Sequence, residues 1–146
     1  MIVLGIDPDV DKSGVCILDN GRIVLLKSMR IPELLLTLTE LHINAIVAIE
    51  DVEQRKATFK LQNMNAGQMQ KIAQNVGLVK GAARQLNVLI KHLGYDPRLV
   101  PVGVGKQVKK DADLFKRVTG YTERTNEDTR DAWAIANYIY NEVKNG

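Results

Sequence analysis

Apolar positions along the chain fall into blocks with two different periods. Residues 2–7 form an unbroken apolar run closing on Asp7, the pattern of a strand covered on both faces. Pro8, Asp9 and the stretch to Gly14 read as a turn. Residues 15–18 and 22–27 read as two more strands joined by Asp19-Asn20-Gly21, because Asn-Gly tolerates the positive φ of a tight hairpin. The chain thus opens with a three-stranded antiparallel meander. Pro32 then starts a helix running to about His42, with Pro32 and Glu33 suited to a first turn. Residues 45–51 repeat the first pattern: a buried strand closing on acids.

Residues 58–64 are polar and read as a loop. From about Asn65 to Leu93 the period becomes helical, and Met69, Ile72, Ala73, Val76, Val79, Ala83, Leu86, Ile90 and Leu93 keep one apolar stripe. Gly77 and Gly81 weaken this helix and predict a kink or a close packing contact. Residues 99–102 read as a short strand, 109–118 as a helix ending near Gly120, and 126–143 as the last helix. Parallel strands need crossovers, which the helices supply. The order predicts an α/β fold with a mixed sheet, three antiparallel strands first and parallel strands after.

Composition narrows the class. The 146 residues fit one domain, 1–146, and a 45% hydrophobic content gives it a core without disulfide or structural metal. The single cysteine, Cys16, excludes an intramolecular disulfide and a zinc site of several cysteines, and inside an apolar strand it reads as inert core. No segment approaches the roughly 20 apolar residues of a membrane span. The first residues lack the pattern of a secretory signal. The expectation is a cytoplasmic protein with no membrane partner. A net charge of +3 leans weakly toward a polyanionic partner.

The acids carry the chemistry. Asp7 ends the first buried strand and Glu50 the fourth; in open α/β sheets, ligand sites lie at the carboxyl ends of strands. If these two strands are neighbours, both acids face one crevice. In the last helix, Ala132, Ile135, Ile139 and Val143 define a buried stripe. Asp128 lies four residues before Ala132 and Asp131 four before Ile135, so both extend that stripe. Acids aimed at a sheet are costly unless a cation neutralises them, and grouped carboxylates hold Mg²⁺ or Mn²⁺. Taken singly, each acid also has a plainer reading. Asp7 suits a turn or cap, Glu50 a salt bridge to Arg55 or Lys56, Asp128 the helix dipole, and Asp131 an ordinary surface position.

Together these motifs resemble a known family. Gly5-Ile6-Asp7-Pro8 followed by Ser13-Gly14 resembles the opening of the RuvC family of Holliday-junction resolvases. Ala48-Ile49-Glu50 resembles its second acidic strand, and Asp128 to Ala136, Asp-Thr-Arg-Asp-Ala-Trp-Ala-Ile-Ala, its acidic C-terminal helix. Ala66-Gly67-Gln68 with Gly77 is similar to the start of its central helix. Val102-Gly103-Val104-Gly105-Lys106 with Val108-Lys109 is similar to its basic segment. The resemblance implies a ribonuclease H-like fold with a five-stranded mixed sheet flanked by helices. It implies a homodimer that cuts four-way DNA junctions, with Asp7, Glu50, Asp128 and Asp131 as catalytic and metal-binding residues. The implied reaction is two-metal phosphodiester hydrolysis, with two Mg²⁺ ions per site about 4 Å apart, Mn²⁺ able to substitute, and Asp7 the best candidate to bridge them.

The chain also departs from the family. Asp9 follows Pro8 where glycine is common, and Glu53 stands where an aromatic wedge is expected; Phe59 is the candidate substitute. The compact length, the Arg124 to Asp128 run and Lys109-Lys110-Asp111 look like phage-type members, which would place the protein in a host cytoplasm. Lys106, Lys109 and Lys110, before or on a helix start, and Arg55, Lys56 and Lys60, after the Glu50 strand, are candidate DNA contacts; a solvated surface run is the plainer reading. His42 and His92 read as helix-end residues. The competing functions are a ribosomal-RNA-processing nuclease of the same fold and a non-catalytic DNA-binding module. An actin-like kinase would need a second domain and a further phosphate loop.

Overall fold

The computed structural model describes residues 1–54 and 64–146. Five strands form one sheet: β1 (Ile2–Asp7), β2 (Ser13–Asp19), β3 (Arg22–Met29), β4 (Ile46–Glu50) and β5 (Arg98–Val100), in the order β3-β2-β1-β4-β5. The first three run antiparallel and β1, β4 and β5 run parallel. The hairpin between β2 and β3 turns on Asn20 at φ 49° and Gly21 at φ 83°, the positive angles that the Asn-Gly pair admits. This is the ribonuclease H-like arrangement implied by the sequence resemblance.

Strand alternation divides the core in two. Leu4, Ile6, Val15, Ile17, Val47 and Ile49 pack on one face against α1 (Ile31–Glu40) and the C-terminal half of α2 (Ala66–His92), through Leu34, Leu38, Leu86 and Ile90. Val3, Cys16, Leu18, Ala48 and Val100 pack on the other, against α5 (Glu127–Asn145) and the short helices α3 (Lys106–Lys110) and α4 (Ala112–Thr119). Cys16 is fully buried there, as expected of an inert core thiol.

Two helix expectations are corrected. The helix expected over 109–118 is two helices. Asp111 ends α3 and caps α4, its carboxylate accepting from the amides of Asp113 and Leu114, so local capping outcompetes continuation. The second correction concerns Gly77 and Gly81. Here α2 is one helix from Ala66 to His92, and among the described residues a methyl added at either glycine would meet nothing within 4 Å. Only Ala83, Leu86 and Ile90 of its stripe are buried. The apolar positions before them stay partly exposed. Of the loop read at 58–64, only Met64 falls within the described residues.

Candidate active site

The geometry of the site starts from parity. Gly5 and Asp7 lie on the α5 face of β1, because Leu4 and Ile6 fill the opposite face. Ala48 and Glu50 lie on that same face of β4, because Val47 and Ile49 fill the other. The parallel register pairs Gly5 with Ala48 and Ile6 with Ile49, so the next positions along, Asp7 and Glu50, end side by side. Each carboxylate residue is only 5% exposed.

Two glycines then bring in α5. A methyl on Gly5 would lie 2.4 Å from the carbonyl oxygen of Ala132, and one on Gly14 would lie 2.2 Å from that of Asp128. The helix backbone therefore rests directly on the backbone of β1 and β2. Gly14 is the cross-strand partner of Asp7, so the first turn of α5 sits beside Asp7. That turn is held by a capping box: the Asn126 side chain accepts from the Thr129 amide at 2.8 Å, and the Thr129 hydroxyl accepts from the Asn126 amide at 3.0 Å. Asp131 is 5% exposed and Asp128 half-buried.

Electrostatics report the convergence. Burial, then the negative charges of Asp131 and Glu50, push the Asp7 carboxyl up to about 8, with Lys109 pulling the other way and Asp128 adding to the rise. Asp128 is raised too, by burial and then by Asp9. Burial and the neighbouring acids thus outweigh the opposing pull of Lys109 on Asp7. Among the described residues, Lys109 is the cation inside the cluster: its Nζ donates to an Asp131 carboxylate oxygen at 2.9 Å, and its side chain is 30% exposed. Burial alone would lower its pKa, but the hydrogen bond and charge of Asp131, with the charges of Asp7 and Glu50, outweigh that and raise it. Among the described residues, no three metal-ligating side chains are gathered tightly enough to hold one ion as they stand.

The other candidates divide. Lys109 reaches the acids, whereas Lys106 and Lys110 are exposed and form no ion pair among the described residues. Arg55, Lys56, Lys60 and Phe59 lie outside the described residues. Glu53, where the family wedge is expected, is bound to α2: Arg84 donates to its two carboxylate oxygens from Nε and Nη2, at 2.5 and 3.0 Å. His92 ends α2, whereas His42 lies two residues beyond the end of α1. Sequence reasoning missed three participants. One is the backbone seat formed by Gly5 and Gly14, which strand alternation places on the Asp7 face. Another is Ser13, buried at the start of β2, whose hydroxyl accepts from the Asp9 amide at 3.2 Å. The last is Arg130, a buried arginine between the two helix acids that no periodicity marks.

No protein-family model matches the sequence, and no curated protein matches it. Solved structures do. The chain is similar to T. thermophilus RuvC in complex with a Holliday junction substrate, at 20% identity over 99% of this chain and 96% of that one, with a TM-score of 0.60. A second Thermus thermophilus RuvC structure aligns at 19% identity over 99% and 97% of the two chains, with a TM-score of 0.56. What is shared at that identity is the backbone plan, traced end to end: the chain has the ribonuclease H-like fold of RuvC.

Proposed function

We propose that this protein is a divalent-metal-dependent DNA endonuclease that cuts four-way junctions, with Asp7, Glu50, Asp128 and Asp131 as its catalytic carboxylates. The observation that carries the reading is the convergence of acids from β1, β4 and α5 at one end of the sheet. Burial, and then the charge of Asp131 and Glu50, pushes Asp7 up to about 8. The donor set fits Mg²⁺ or Mn²⁺: hard carboxylate oxygens, with no thiolate among them. Asp7, Glu50, Asp128 and Asp131 would hold the metal, which supplies Lewis-acid stabilisation of the phosphate and a nucleophilic water at neutral pH.

The chain's own residues do the rest. Asp7 and Glu50 are fixed on strand ends and cannot drift apart without breaking the sheet. Asp128 and Asp131 are set by the glycine seat and the capping box. Lys109 puts a positive charge beside these acids, where it can neutralise a phosphate oxygen as charge builds in the transition state. Lys106 and Lys110, exposed on α3, are suited to phosphates farther along the DNA. The solved likeness to RuvC bound to a Holliday junction supports a branched substrate. We read the active form as a homodimer, because paired cuts need two sites. Its interface would use the partly exposed stripe of α2 around Gly77 and Gly81.

The direct test is incubation with a labelled synthetic four-way junction, with Mg²⁺ or with chelator, alongside linear duplex and structured RNA. Symmetric nicks in the junction that require metal are the expected result. Cleavage of structured RNA with the junction left intact would favour the RNA-processing alternative, and binding without cleavage would favour the non-catalytic one.

A further inference from the structure

Arg130 sits in the first turns of α5, between Asp128 and Asp131, and is 6% exposed. A buried guanidinium is costly unless its donors are used. Here Nε donates to the backbone carbonyl of Lys109 at 2.9 Å, and Nη1 donates to the Thr125 hydroxyl at 2.9 Å. Both acceptors are neutral, so these bonds tie down backbone and loop and do not pair charge with charge. The Lys109 carbonyl lies in the last turn of α3, where helix geometry leaves carbonyls without an internal donor. A helix of five residues has little stability of its own and takes its position from such tethers.

The connection closes on itself. The side chain of Arg130 holds the backbone of Lys109, and the side chain of Lys109 holds the side chain of Asp131, the next residue of α5. A planar fork with donors on separate nitrogens can serve the carbonyl and the hydroxyl together; the single ammonium of lysine cannot reproduce that geometry. We propose that Arg130 is the positioning residue that holds Lys109 against Asp131, and so fixes the one cation that stands within the acid cluster among the described residues. The catalytic consequence rests on the nuclease reading above, but the placement of Lys109 does not.

The test therefore has two arms on the full chain. In the first, the ¹⁵N-lysine NMR signal of the Lys109 ammonium, assigned by its loss in Lys109→Ala, is followed in metal-free protein. We expect slow proton exchange in the parent protein and fast exchange in Arg130→Ala. In the second arm, Arg130→Ala lowers kcat on the four-way junction by about 10- to 100-fold, the scale of a small displacement in an active site. Junction affinity in chelator stays unchanged. The double variant Arg130→Ala with Lys109→Ala is no slower than Lys109→Ala alone, since residues acting through one contact are not additive. If Arg130→Ala melts below the assay temperature, Arg130→Lys, which keeps stem and charge but lacks the fork, carries both arms with the same expectations. Protected exchange in the variants, or kcat losses that multiply in the double variant, would overturn the proposal. A parent protein that cuts no junction sinks the nuclease reading, and the NMR arm still decides the role of Arg130.

Discussion

Replacing Asp7 by asparagine should remove nuclease activity and make the metal-free protein more stable. The carboxyl titrates at 3.8 when unfolded and at about 8 in the fold, because of burial and then of Asp131 and Glu50. A folded pKa above the unfolded one means that the native state holds a proton the unfolded state has released. Stability is then fully present below pH 3.8 and is lost as pH rises to about 8. Each pH unit in that window weakens the fold by about 1.4 kcal/mol, giving a loss of about 2 kcal/mol at pH 5 and about 4 kcal/mol at pH 7. Asparagine has nearly the same shape and never ionises, so the variant escapes this loss. For a chain of this length, 1 kcal/mol moves Tm by about 3 °C. Relaxation of the first turn of α5 and entry of water take up part of the effect. We expect Asp7→Asn to melt about 5–10 °C above the parent in chelator at pH 7, and about half that at pH 5. The assay is thermal unfolding followed by circular dichroism from pH 5 to 9, with chelator and then with Mg²⁺, which should stabilise the parent more than the variant. A variant that melts at or below the parent across this range, or a gain that shrinks as pH rises, would refute the electrostatic account of the site.

Three further outcomes follow from the same geometry. Lys109→Met should destabilise the chelated protein by about 1–3 kcal/mol, because it leaves the buried Asp131 facing other acids, and added Mg²⁺ should recover most of that in a urea titration. Gly14→Ala places a methyl 2.2 Å from the Asp128 carbonyl oxygen and should cost about 1–3 kcal/mol as α5 is pushed off β2, with kcat falling while junction affinity in chelator holds. Junction binding should weaken steeply between 50 and 200 mM salt, and Lys106→Ala or Lys110→Ala should each reduce the slope of log K against log salt by about 1; an unchanged slope would remove those lysines from the DNA surface.

Much of the fold was legible because its signals are local. The run closing on Asp7, the Asn20-Gly21 hairpin and the stripe of Ala83, Leu86 and Ile90 need only neighbours along the chain to be read. The division at Asp111 was not legible, since the residue suits a helix surface as well as a cap until its carboxylate is seen on the amides of Asp113 and Leu114. Gly77 and Gly81 misled for the complementary reason. Glycine marks a place where close approach is allowed, and among the described residues nothing approaches.

The sequence by itself determined which residues bear charge on which face: alternation put Asp7 and Glu50 on one side of their strands, and the helical period put Asp131 among the buried residues of α5 with Asp128 half-buried one turn before it. The tertiary structure decided that these faces meet. Strand order made β1 and β4 neighbours, and Gly5 and Gly14 let α5 rest on the sheet backbone beside Asp7. It also decided that Lys109 enters the cluster while Lys106 and Lys110 stay outside. Periodicity fixes direction around one element, but distances between elements come from packing, which couples residues far apart in the chain.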